Sequence, residues 1–70
     1  MTEAEAALEA FRAARERMDA LHEVFVHSLG GPGERITETR EAFDEAEENM
    51  RHLRRQWWIA LAWERQNPHR

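Results

Sequence analysis

From Ala4 onward, apolar positions recur at alternating spacings of three and four: Ala4, Ala7, Phe11, Ala14, Met18, Leu21 and Phe25. Ser28 continues the series, and Leu8 and Val24 widen it. Such a period belongs to a helix that packs one face. Thr2-Glu3-Ala4-Glu5 fits a capping box, in which the threonine oxygen accepts from an early backbone N–H, so the spacing predicts a helix over about residues 3–28. Leu29-Gly30-Gly31-Pro32-Gly33 ends it, because glycine can take the left-handed cap conformation and proline lacks the N–H to continue. The same spacing restarts at Ile36, Thr39, Phe43, Ala46, Met50, Leu53, Trp57 and Ala60. A second helix is expected over about 34–66, beginning somewhere between Pro32 and Thr37. Asn67-Pro68 breaks the pattern and leaves a short tail at 67–70.

Strand patterns are lacking in the sequence, and two long helices with so short a connection must lie antiparallel. The expected fold class is all-α: one domain, an antiparallel two-helix hairpin, pairing into a four-helix bundle or a larger helical oligomer. Folding at the turn sets residues whose numbers sum to about 65 side by side. Phe25 is then expected near Arg40, Met18 near Glu47, Phe11 near Arg54 and Ala4 near Leu61. The helices also resemble each other. An offset of 32 aligns Glu9-Ala10-Phe11 with Glu41-Ala42-Phe43, Ala14 with Ala46, Glu16 with Glu48, Met18 with Met50 and Leu21 with Leu53. Heptad sequences built from few residue types also align by chance, so the likeness alone does not require duplication.

Composition turns this shape into a question about partners. A chain of 70 residues seldom encloses enough core to offset about 1.5 kcal/mol of ordering entropy per residue. It has no cysteine, which removes disulfides and thiolate metal sites as supports, so association is the expected substitute. Trp57-Trp58-Ile59-Ala60-Leu61-Ala62-Trp63 is the longest apolar run, far short of the roughly 20 residues that span a bilayer. No membrane span and no cleaved leader are expected, and the location expected is cytoplasmic. On the heptad frame Trp58, Ile59 and Ala62 fall outward. Trp57, Trp58, Ile59, Ala62 and Trp63, with the small residues Ala6, Ala10 and Ala13, are therefore the candidate protein interface, through which the chain would meet a second copy or another helical protein.

Net charge is −4, against sequence-independent binding to nucleic acid by the whole chain. The charge is uneven, however. The second helix is acidic from Glu34 to Glu48 and basic from Arg51 to Arg65, which suits its dipole and is expected to bring its late arginines beside Glu3, Glu5 and Glu9. Arg51, Arg54 and Arg55, interleaved with tryptophan, carry the alternative reading of an RNA- or DNA-binding hairpin.

Metal and catalytic chemistry find less support. Asp19-x-x-His22, Glu23-x-x-x-His27 and Glu48-x-x-x-His52 each set a carboxylate and an imidazole on one helical face, and the further alternative is a metal-binding protein or a small all-helical enzyme with a site shared between chains. The Glu-x-x-His pair of bundle di-iron sites does not occur, and the expectation is surface histidines with no metal and no cofactor. Nucleophilic triads and phosphate-cradling glycine motifs are also lacking, and no enzyme is expected. The shape is similar to secreted WXG-type helical hairpins, but the turn has no Trp-x-Gly, so only the architecture is shared. The expected function is that of a non-catalytic helical interaction module, a self-assembling scaffold, adaptor or regulator.

Overall fold

The structure, a computed structural model, describes residues 1–67. Two helices, α1 (Glu3–Ser28) and α2 (Gly33–Gln66), pack antiparallel, and no strand occurs among the described residues. Thr2 caps α1 as its sequence suggests, its hydroxyl oxygen accepting from the Glu5 N–H at 3.1 Å, with Glu3 and Glu5 at the positive end of the dipole. Asn67 closes α2: its backbone N–H donates to the Trp63 carbonyl at 2.9 Å and its side-chain amide donates to the same oxygen at 3.1 Å. Pro68, the expected stop, and the rest of the tail lie outside the described residues.

The reversal between the helices differs from expectation. No glycine among the described residues has a positive φ. Instead α1 runs into Leu29 at φ −62° and ψ −21°, and two i to i+3 bonds tighten its end: Leu29 N–H to the Val26 carbonyl at 3.3 Å and Gly31 N–H to the Ser28 carbonyl at 2.9 Å. Pro32, extended at φ −61° and ψ 145°, is the N-cap of α2, and its carbonyl accepts from Arg35 and Ile36. Space favours glycine here at one position. A Cβ on Gly31 would sit 3.3 Å from the Ser28 carbonyl oxygen, whereas at Gly30 and Gly33 it would meet nothing.

Register follows from contacts at three levels. Beside the turn, the Ser28 and Thr39 hydroxyls lie 2.7 Å apart. Further along, Phe25 stacks on Phe43 at 6.4 Å, with His22 tilted against the same ring at 5.2 Å. At the open end Phe11 stacks on Trp57 at 5.9 Å. The stacked and hydrogen-bonded partners sum to 67 or 68, two or three more than the sequence suggested, so Phe25 meets Phe43 where Arg40 was expected and Phe11 meets Trp57 where Arg54 was expected. The difference arises at the turn. Because α2 is already helical at Gly33, its first turn and a half overhangs the end of α1.

The offset of 32 that aligns the helices also relates these contacts. It carries Phe11 onto Phe43 and Phe25 onto Trp57, so the two aromatic stacks exchange places under it, and both have rings 6° from parallel. The hairpin is thus close to two-fold symmetric about a centre where the same register sets Met18 opposite Met50.

What this seam encloses is thin. Ala4, Ala14 and Ala46 are the buried apolar residues, and among the described residues no large side chain is fully buried. Phe11, Met18, Leu21, Phe25, Phe43, Met50, Leu53 and Trp57 line the seam yet stay partly in contact with solvent. The molecule measures 58 × 15 × 11 Å with a radius of gyration of 16.2 Å, where a globular chain of this length has about 11 Å. Its accessible surface is 5754 Å², roughly 1,200 Å² more than a compact monomer of its mass presents.

Candidate interaction surface

The candidate interface residues occupy the open end of the hairpin, where the sequence sets bulky residues on α2 and small ones on α1. Trp57 faces the seam: it is half-buried, stacked on Phe11 and tilted at 44° against Trp58 with ring centres 5.3 Å apart. Trp58, Ile59 and Trp63 are each a little over half exposed, and Ala62 is exposed beside them. On α1, Ala6, Ala10 and Ala13 are all exposed. These exposures are high for tryptophan and isoleucine, which normally seek cover.

They do not form one patch. With about 100° between successive residues, Trp58 and Trp63 point roughly 140° apart, onto opposite flanks of the hairpin. Trp58 lies in a shallow groove on the back of α2 with Glu48, Arg51, His52, Arg54 and Arg55. Trp63 lies toward the other helix, in a groove it shares with Met1, Thr2, Glu3 and Glu64. A third groove midway along the molecule identifies the same flank, since Arg17 and Leu21 line it together with Ala42, Glu45, Ala46 and Asn49. Glu3, Ala10 and Arg17 share one heptad position, as do Ala42, Asn49, Gln56 and Trp63, so these rows run side by side. Ala6 and Ala13 stand one step further out on α1, and Ile59 one step further out on α2.

The two flanks differ in chemistry. On the alanine flank, the open-end half presents Ala6, Ala10 and Ala13 on one helix and Gln56, Ile59 and Trp63 on the other, with Glu3 and Arg17 at the two ends of the Ala10 row. The opposite flank carries Arg15, Arg40, Asp44, Glu47, Arg51 and Arg54 around Leu8 and Trp58. Ion pairs among the described residues run within α2: Arg51 to Glu47 at 3.2 Å and Arg40 to Asp44 at 3.9 Å. The interhelical pairs expected between the late arginines and Glu3, Glu5 or Glu9 are not among them: Glu3 lies beside Trp63 and Glu64 on the alanine flank, whereas Arg51, Arg54 and Arg55 lie with Trp58 on the back of α2. No family model, curated protein or solved structure matches the chain.

The remaining candidates stay apart. His22 packs against Phe43, while His27 is exposed beside the turn and His52 is exposed near the middle of α2. Among the described residues no three His, Asp or Glu side chains converge where they could share a metal ion. None of the described helices is long and apolar enough to cross a membrane.

One feature escaped the sequence pattern. Ser28 and Thr39 form a buried polar pair, at 5% and 8% exposure, in a seam otherwise lined by carbon. Ser28 also reaches the Phe25 carbonyl at 2.6 Å, and Thr39 the carbonyls of Arg35 at 2.8 Å and Ile36 at 3.1 Å. Each hydroxyl has one proton, so one donates across the seam while the other donates back into its own helix. The signal was available: both occupy apolar positions of the three-four series, on either side of the turn.

Proposed function

We propose that this chain is a non-catalytic interaction module that works by self-association, two hairpins covering each other's open seam as a helical bundle. One observation carries the reading: among the described residues, folding leaves no large side chain fully buried and three bulky apolar residues more than half exposed at one end. An isolated hairpin buries about half of the surface of its extended chain, below the roughly 60% usual even for very small domains. The excess surface is of the order of the ~800 Å² that each partner contributes to a standard interface. Cysteine is absent and no metal cluster occurs among the described residues, so a second copy is the supplement that the fold has within its own sequence.

Mass in solution tests the proposal, together with thermal unfolding over a dilution series. Association adds to stability by mass action, so the melting temperature should fall on dilution and the particle should weigh a multiple of 8.3 kDa. A monomer that melts cooperatively at a temperature independent of concentration would remove the basis of the proposal.

A second reading has one observation in its favour: Arg51, Arg54, Arg55 and Trp58 line a common groove, cations beside a stacking surface. The acidic first half of α2 and the net charge of −4 oppose it. Single-stranded RNA or DNA binding at low ionic strength that collapses with added salt, and is lost on replacing all three arginines, would favour this reading.

A further inference from the structure

Resting on the self-association reading, we propose that the second copy docks on the alanine flank, in an orientation that places both turns at the same end of the assembly. The flank holds a ridge and a trough side by side. Ile59 and Trp63 form the ridge, exposed by 56% and 53%, and Ala6, Ala10 and Ala13 form the trough. Ala6 and Trp63 have numbers summing to 69, as do Ala10 and Ile59, close to the 67 and 68 that define the seam register. Ridge and trough therefore lie at the same height along the molecule.

A two-fold axis parallel to the helices lays each ridge into the other copy's trough without any sliding along the axis. Trp63 then covers the partner's Ala6, and Ile59 covers the partner's Ala10. Large side chains meet small ones on both halves of the interface, and α1 packs antiparallel to the partner's α2. The ridge-and-trough contact itself sets no charge against Ile59 or Trp63, with Arg17 and Glu45 of the same flank lying toward the middle of the molecule, whereas closing on Trp58 would bury Arg51 and Arg54 directly beside it. The broad face of 58 by 15 Å offers roughly 870 Å² in projection, comparable to the area per partner of a stable interface. A two-fold axis perpendicular to the helices through the centre of the hairpin would carry the ridge to the far end of the partner, onto Glu38 and Ala42, and leave Ala6 and Ala10 uncovered by it.

The absence of native cysteine makes a single-label measurement clean. Leu29→Cys, at an exposed turn position, carries a spin label, and the distance between labels in the dimer is measured by pulsed electron resonance. With helices packed 8–10 Å apart, turns at the same end give a separation of roughly 30 Å or less, whereas turns at opposite ends give roughly 50 Å. In parallel, Trp63→Glu is expected to weaken dimerisation by at least about thirty-fold, the effect of losing an interface hot spot, and Trp58→Glu by less than about three-fold. A dimer with the long distance, or one weakened equally by both substitutions, overturns the docking mode while leaving self-association standing. A labelled chain that is helical and monomeric at high concentration overturns both.

Discussion

The Ser28 and Thr39 hydroxyls meet at 2.7 Å across the seam, eleven residues apart in sequence, and they are the only side-chain pair hydrogen-bonded between the two helices among the described residues. Their position beside the turn fixes how far α2 can slide along α1. A slip of one turn would leave both hydroxyls against carbon, with only their own carbonyls as partners. The pair should therefore behave as a coupled unit. Ser28→Ala and Thr39→Val are each expected to lower stability by about 1 kcal/mol, and the double variant by little more than either alone. Urea titrations of the four species give the coupling directly, and strictly additive losses would show that the hydroxyls act separately.

The turn makes a prediction of opposite sign at neighbouring glycines. Neither Gly30 nor Gly33 has a positive φ, and a Cβ at either would meet no atom. Gly30→Ala and Gly33→Ala should each stabilise the fold by about 0.4–1 kcal/mol, by narrowing the unfolded ensemble. Gly31→Ala pushes a methyl against the Ser28 carbonyl and should gain nothing or lose stability. Thermal melts of the three variants at one chain concentration test the ranking, and a stabilising Gly31→Ala would show that the turn relaxes freely.

Trp57 and Trp58 are adjacent yet face different surroundings, so truncating them should separate the seam from the surface. Trp57→Ala removes the stack on Phe11 and is expected to cost about 2 kcal/mol, less than the 3–5 kcal/mol of a fully buried aromatic because the ring is only partly covered. Trp58→Ala should cost under about 1 kcal/mol. Denaturant unfolding at a fixed concentration compares the two, and equal losses would mean that Trp58 is covered in the assembled state.

Thr2 gives a local test of the α1 cap. Thr2→Ala should cost about 1 kcal/mol, and Thr2→Asp should retain most of it, since a carboxylate also accepts from the Glu5 N–H and suits the dipole. Helicity and melting of both variants decide it. Equal destabilisation would show that the cap contributes through the threonine methyl rather than its oxygen.

How much of this could be read from residues alone depended on the range of each interaction. Helix bounds were legible because their signals are local: Thr2 caps, the glycine-proline segment interrupts, and the three-four series marks one face of each helix. The register was legible only to within two or three residues. It depends on how many residues the reversal consumes, and α2 begins at Gly33, before its first seam residue, Ile36. Trp58 and Trp63 fall into one candidate interface on the sequence alone, because a heptad frame viewed as inside and outside hides the left and right of the outside. In the folded chain the two flanks are distinct, one groove holding Glu3 with Trp63 and another Arg51 with Trp58. The hydroxyl pair was hidden for a simpler reason: serine and threonine continued an apolar series, and their mutual distance is a property of the folded chain.

The short connection also sets the order in which the hairpin can close. Contacts beside the turn join residues about ten apart, whereas Glu3 and Trp63 are brought together only after almost the whole chain has been threaded into place. Zipping therefore runs from the hydroxyl pair toward the tryptophans, and the aromatic end is the last to shut and the first to fray. A second copy gripping that end would hold the zip closed, making the final step of folding and the first step of assembly a single event.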